Sequence, residues 1–341
     1  MADIAFSLHD PEWLAHRHVE GADSLRFIHL PRADRVAVPF LTDANLGERP
    51  DIMEVSLDAV LRALPRPPIR WLFHSAFCGS TMLAHAFDQP GMTSSLSEPV
   101  ILNDVVGQRR RGGDPRGVAR TADAALRALG RVYPGEAAVI VKPSNVANPL
   151  SELLMALQPE APAVFLFAPL ETFLISVVRK GLACRLWVRE LLEGYLHENY
   201  VDLGFAAADY FRLSDLQVAA VGWLAQHSHF ARLALKLGPQ RLATLDADRM
   251  VDAPRDAIAA LAGHFRLDIG TDAITAIADG PAFARHSKSG SAYSREARRA
   301  DYDAAHVAHG EEIDTVRRWA ETVAERADVA LAPPHPLLPQ R

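Results

Sequence analysis

Four short apolar runs, each followed by an amphipathic stretch, constrain this chain more than any other feature. "IRWLFHS" precedes "TMLAHAF", "AAVIVKP" precedes "PLSELLMAL", "APAVFLFAP" precedes "LETFLISVVRKG", and "QRLATLDA" precedes "APRDAIAALAGHF". A strand with one wet face alternates apolar and polar residues. These runs stay apolar throughout, so both of their faces are expected to be buried. Buried strands interleaved with helices predict an α/β fold of three layers, α/β/α, around a mostly parallel sheet. A helical stretch at about 182–237 separates the third and fourth strands and reads as an insertion. In such a sheet ligands sit beyond the carboxyl ends of the strands. The loops after Phe73, Val141 and Phe167 are therefore expected to face one site.

"PRPP", Pro65 to Pro68, punctuates the chain ahead of the first run. Residues 1–66 read as an N-terminal extension or cap, and 67–341 as the main domain. Within the extension, "DRVAVPFL" is expected to form a strand and "MEVSLDAVLRAL" an amphipathic helix.

Composition narrows the partners. A net charge of -6 argues against wholesale binding of DNA or RNA, while leaving room for a local positive pocket. Cys78 and Cys184 alone make neither a disulfide framework nor a zinc site. No apolar run approaches the ~18 residues of a membrane helix. The greasiest stretch, "APAVFLFAPLETFLISVV", is broken by Pro169 and Glu171. The N-terminus lacks the pattern of a secretion signal. The expectation is a cytoplasmic protein with no nucleic-acid or membrane partner.

The stretch "WLFHSAFCGSTML" reads as strand, tight turn and helix start. Against the phosphate-binding pattern G-x-x-x-x-G-K-[ST], Gly79 and Thr81 match, His74 replaces the first glycine, and Ser80 replaces the lysine. The backbone of Ser75, Ala76, Phe77, Cys78 and Gly79, with the hydroxyls of Ser80 and Thr81, forms an anion cradle without its own point charge. It suits a ligand less charged than a magnesium-bound triphosphate. A capped helix start is the competing reading, with Ser80 or Thr81 satisfying the first N–H groups. Cys78 also stands where a helix N-terminus activates a thiol, although no His–Asp pattern supports a nucleophile there.

The strand, "SAFCGSTML" and then "LSEPVILND" resemble the start of a bacterial-type P-loop sulfotransferase. "VIVKPSN", "FLFAPLETFLISVVRKG" and "LATLDADRMVDAPRDAIAALAGHFRLDI" resemble later pieces of that family in the same order, covering about Ile69 to Ile269. The resemblance implies a P-loop-type α/β/α fold and 3′-phosphoadenylyl sulfate (PAPS) as donor, with no metal. It implies a small-molecule or peptide acceptor bearing a hydroxyl or amine. It places Lys142 near the transferring sulfuryl group and Ser176 at the donor's 3′-phosphate. The acceptor's base would be Glu98 or His74, with His286 a weaker third. Glu98 also fits a structural anchor and His74 a satisfied core histidine.

Two positions depart from the family. Phe77 stands where it has Lys or Arg, and Ala168 where it has Arg. Each lost charge-assisted contact is worth about 1.5–3 kcal/mol. Arg179 and Lys180, three and four residues after Ser176, are candidate substitutes, as are Arg285 and Lys288 beside Gly290 in "ARHSKSGSAYSREARR". A P-loop kinase or other nucleotide-dependent transferase is one rival, disfavoured by the missing loop lysine. A non-catalytic nucleotide- or partner-binding relative is the other, favoured by Phe77 and Ala168. The basic "GQRRRGGDPR" reads as a surface loop or a lid. His227 and His229, two apart on a helix, point to different faces and make no ready metal pair.

Overall fold

The computed structural model of the chain describes residues 5–49, 51–284 and 295–339. A three-stranded antiparallel sheet opens it, with β1 Trp13–Val19, β2 Ser24–His29 and β3 Ile52–Ser56 in that spatial order. The short helices α1 Arg32–Ala37 and α2 Asp43–Leu46 lie between β2 and β3, and α3 Leu57–Ala63 follows.

The main sheet has five strands, all parallel: β4 Ile69–His74, β5 Thr93–Ser97, β6 Ala138–Lys142, β7 Ala163–Phe167 and β8 Leu242–Asp246. Their spatial order is β5-β6-β4-β7-β8. Helices α4 Ser80–Ala86, α5 Ile101–Arg110, α6 Pro115–Leu129 and α7 Ser151–Leu157 connect the first four strands. Next come α8 Leu170–Arg179, α9 Gly181–His197 and α10 Asp215–Leu237, the last two filling the expected helical insertion. After β8 stand α11 Ala247–Asp252, α12 Pro254–His264, α13 Thr271–Ala278, α14 Pro281–Ala284 and α15 Arg295–Arg326.

The apolar runs bury both faces, as their composition requires. Ile69, Trp71, Phe73, Val139 and Val141 join one core. Leu72, Ile140, Val164 and Leu166 join the other. The first core also takes in Trp13, Leu25, Phe27 and Val60, so residues of the N-terminal sheet and α3 pack with that face of the main sheet. Arg17 ties β1 to α5 through both oxygens of Asp104, at 2.7 and 2.8 Å. The second core lies under α4, α8, α9, α10, α12 and α15. No helix among the described residues is long and apolar enough to cross a membrane.

Strand order explains where a ligand would sit. From β4 the chain moves out to the edge strand β5, returns to β6, then crosses to β7 on the other side of β4. Direction reverses around β4, so the carboxyl ends of β6, β4 and β7 lie side by side at a topological switch point. The loops after Phe73, Val141 and Phe167 leave from these three neighbours.

Three local expectations need correction. "DRVAVPFL" is no strand: α1 takes up its first four residues and the rest is irregular. Arg32 and Arg35, one helical turn apart, both reach Asp88, and Pro39 has no N–H for a ladder. "MEVSLDAVLRAL" is helical only from Leu57. Its first residues belong to β3, and Ser56 caps α3 by accepting from the Ala59 N–H at 3.3 Å. The four strands read from the sequence are joined by a fifth, β5, whose sequence "TSSLS" carries no apolar run. Two of its polar residues are met locally: Thr93 Oγ1 donates to Phe87 O at 2.5 Å, and the Ser95 N–H to Asp88 Oδ2 at 3.0 Å.

Candidate functional site

The loop after β4 is wound unusually. Ala76, Phe77 and Gly79 all have positive φ, at 72°, 52° and 76°, while Cys78 between the last two does not. Positive φ at Phe77 and Gly79, on either side of Cys78 and just before the helical Ser80, is the kind of alternation from which anion-binding nests are built. Among the described residues, no backbone carbonyl accepts from the N–H of Phe77, Cys78 or Gly79. Gly79 is exposed while its neighbours are buried or half-buried, so the loop opens to solvent at that turn. For Ala76 and Phe77 the left-handed conformation costs about 1–2 kcal/mol each. The loop is held in it by Ser75, whose N–H donates to Leu166 O at 3.1 Å and whose Oγ accepts from the Ala168 N–H at 3.1 Å. Ser80 and Thr81 are buried in the first turn of α4.

Cys78 is no activated nucleophile. It is 2% exposed, and burial pushes its thiol up from the ordinary value. Phe77 half-buries its ring against Phe173 and Trp187, each at 5.6 Å between centroids.

His74, Glu98 and Lys142, spread over 69 residues of sequence, converge. Lys142 ends β6 with no exposed surface, and its ammonium is ion-paired with Glu98 Oε1. Ser97 Oγ lies 3.5 Å from the same nitrogen, and the Phe40 ring 5.1 Å from it. Glu98 has φ 52°, so three of the eight non-glycine residues with positive φ among those described belong to this site. Strained backbone held in place by its surroundings is a recurring mark of functional sites. Here the Glu98 N–H donates to Lys142 O at 2.7 Å, which folds the carboxylate back over the lysine.

The His74 ring is committed on both sides. Nδ1 accepts from the Ala76 N–H at 3.1 Å, which assigns the proton to Nε2, and Nε2 donates to Pro143 O at 3.1 Å. Glu98 Oε1 is 3.7 Å from Nε2. Of the three side chains Glu98 alone keeps substantial contact with solvent, at 19%, against 5% for His74 and none for Lys142. It is the one placed to exchange a proton with a ligand.

The cations expected to replace the missing charges separate. Arg179 is ion-paired with Asp301, and its guanidinium lies over Tyr302 at 5.5 Å. Lys180 Nζ lies 5.5 Å over the Phe77 ring, directly beside the loop. Ser176 is buried within α8. Arg285, Lys288, His286 and Gly290 fall outside the described residues; α14, which ends just before them, packs against α4. Ala168 lies in a filled corner: its carbonyl accepts from Trp223 Nε1 at 2.9 Å, and no space for an arginine is kept there. Three arginines of "GQRRRGGDPR" stand at the C-terminal end of α5 and serve as structural ties, Arg109 and Arg110 to the Glu198 carboxylate and Arg111 to Glu20. His227 and His229 do diverge, one stacked on Trp223 and the other 2.7 Å from Ser151 Oγ.

Two contributors escaped the sequence reading. Phe40 comes from the N-terminal extension, held by the Leu41 N–H on Ser97 O at 2.8 Å and the Val100 N–H on Leu41 O at 3.1 Å. Nothing in "VPFLT" marks it. Asn148 is buried and donates to His74 O at 3.0 Å and to Gln226 Oε1 at 2.8 Å, fixing the end of β4. A polar residue just after a buried strand was its only signal. Comparison of the chain with protein-family models and with curated proteins found no match.

Proposed function

We propose that this chain is a PAPS-dependent sulfotransferase of the P-loop kind, moving a sulfuryl group to a hydroxyl or amine on a small molecule or peptide. One observation carries the reading: a nest-forming loop and a Lys–Glu–His cluster meet at the switch point of a parallel sheet. Sulfuryl transfer needs little covalent help. It needs donor and acceptor held in line and charge stabilised on the leaving phosphate.

In this reading the N–H groups of Phe77, Cys78 and Gly79 and the hydroxyls of Ser80 and Thr81 hold the 5′-phosphosulfate. Lys142 stabilises the transferring group, and Glu98 takes the acceptor's proton. His74 shapes the loop through Ala76 rather than acting as the base. Lys180 supplies the cation missing at position 77, and Ser176 lies towards the 3′-phosphate. Lys142 is sealed under Phe40 and Glu98, so donor binding requires one of them to swing aside. A cytoplasmic location accompanies this reading, and both buried cysteines are free thiols.

Calorimetry with 3′-phosphoadenosine 5′-phosphate, followed by transfer from ³⁵S-labelled PAPS to an acceptor mixture, tests the proposal. Binding of that nucleotide in preference to ATP–magnesium supports it. Preference for ATP–magnesium makes the chain a kinase-like transferase instead. Binding neither leaves the non-catalytic alternative, favoured by the filled corner at Ala168.

A further inference from the structure

Two side chains cover Lys142, and they are held very differently. Glu98 Oε1 is ion-paired with the ammonium. Ser97 Oγ lies 3.5 Å from the same nitrogen, and the Phe40 ring 5.1 Å from it. An ammonium has three N–H donors and no acceptor. The π face is the weakest of these partners, because it carries no charge and attracts a cation only through its quadrupole. Phe40 is half-buried, whereas Lys142 has no exposed surface.

Backbone contacts sharpen the contrast. Phe40 lies in the irregular stretch 38–42 between α1 and α2. Upstream, Arg32 of α1 is fixed to Asp88 at 2.5 Å. Downstream, the Leu41 N–H donates to Ser97 O at 2.8 Å, and Leu41 O accepts from the Val100 N–H at 3.1 Å. These two bonds grip the chain on either side of Glu98, whose own N–H donates to Lys142 O at 2.7 Å. Glu98 is thus braced at three points, and its departure would leave a buried ammonium without a counter-charge. The Phe40 ring can turn about its side-chain bonds with all of these backbone bonds intact.

We infer that Phe40 is the gate of the candidate site: its ring swings off Lys142 to admit an anionic oxygen, while Glu98 stays paired. The gate rests on the proposed function in one respect, that an anionic ligand must reach Lys142. A sulfuryl or phosphate oxygen replaces the weakest contact of the ammonium with a charge-assisted hydrogen bond, and the ion pair stays whole. With the ring closed, Lys142 is shielded, so apparent affinity falls with the fraction of molecules that are open. The N-terminal extension thereby supplies the movable cover of a lysine carried by the main sheet.

Acetylation by sulfo-N-hydroxysuccinimide acetate, read at each lysine by peptide mass spectrometry, tests the gate on the full chain without any nucleotide. Phe40→Ala is expected to speed acetylation of Lys142 about tenfold. Acetylation of the exposed Lys236 and iodoacetamide labelling of the buried Cys184 should stay unchanged. Phe40→Leu keeps apolar bulk but loses the π face; its expected rise of about threefold decides the matter if the alanine variant does not fold. Calorimetry should find 3′-phosphoadenosine 5′-phosphate bound about tenfold more tightly by Phe40→Ala than by the wild type. Faster acetylation with no nucleotide bound by either protein leaves the gate standing and removes only the assigned donor. Lys142 acetylation that both variants leave unchanged, or that rises only together with Cys184 labelling, overturns the inference. Nucleotide bound no more tightly by Phe40→Ala than by the wild type overturns it as well.

Discussion

Glu98→Gln removes the carboxylate from a lysine that has no exposed surface. Lys142 keeps the Ser97 hydroxyl and the Phe40 ring, neither of which carries charge. Removing one partner of a buried ion pair costs about 3–5 kcal/mol, because the remaining charge stays out of water. Lys142→Met is the opposite case. The charge left behind is Glu98, which is 19% exposed and can draw on solvent, so the loss should be smaller, about 1–3 kcal/mol. The double variant replaces the pair by two neutral side chains of similar volume and should recover part of the loss. A coupling energy of about 2 kcal/mol or more is expected from the cycle.

For a chain of 341 residues the unfolding entropy near 60 °C corresponds to about 0.7 kcal/mol per degree. Glu98→Gln should therefore lower Tm by about 4–7 °C. Urea unfolding followed by circular dichroism, with calorimetry on the four proteins, measures the cycle. Equal losses from the two single variants, or additivity within about 0.5 kcal/mol, would refute the reasoning that burial of Lys142 sets the asymmetry.

Four further outcomes are expected. Burial pushes the rings of His227 and His229 down to about 3 and about 4. The unfolded chain takes up those protons near pH 6.5, so their stability contribution is whole above that pH and falls as pH drops towards the folded values. Each should cost about 2 kcal/mol between pH 7 and pH 5, and His227→Phe should halve the combined slope in urea titrations at the two pH values. Gly79→Ala places a Cβ 3.4 Å from the Met250 methyl at φ 76° and should cost about 1–2 kcal/mol of stability; isothermal titration should also find weaker nucleotide binding. Lys180→Ala should weaken binding of 3′-phosphoadenosine 5′-phosphate about tenfold or more. Arg179→Ala, which removes a partner of Asp301, should move that affinity much less, and equal effects in calorimetry would reject Lys180 as the substitute cation.

The layered fold was legible because it follows from strands apolar on both faces. β5 was not legible: at the sheet edge Thr93 and Ser95 find partners in Phe87 and Asp88, so a buried polar strand left no hydrophobic trace. The loop at Gly79 announced itself through glycine and hydroxyl spacing. Its left-handed turns at Ala76 and Phe77 did not, since neither residue favours them and tertiary contacts maintain them: the grip of Ser75 on β7, the His74 ring on the Ala76 N–H, and the packing of Phe77. Phe77 looked like a lost cation; in the structure it joins an aromatic cluster with Lys180 above it.

The sequence by itself determined the layers, the location of the glycine turn after β4 and the presence of Lys142 at the end of a buried strand, where a lysine needs a partner. Those follow from local preferences and from the cost of burying charge. Only the tertiary structure decided that the partner is Glu98, that His74 is bound on both nitrogens, and that Phe40 closes over them. These contacts join residues dozens of positions apart. They exist because the chain reverses direction around β4, which no local pattern encodes.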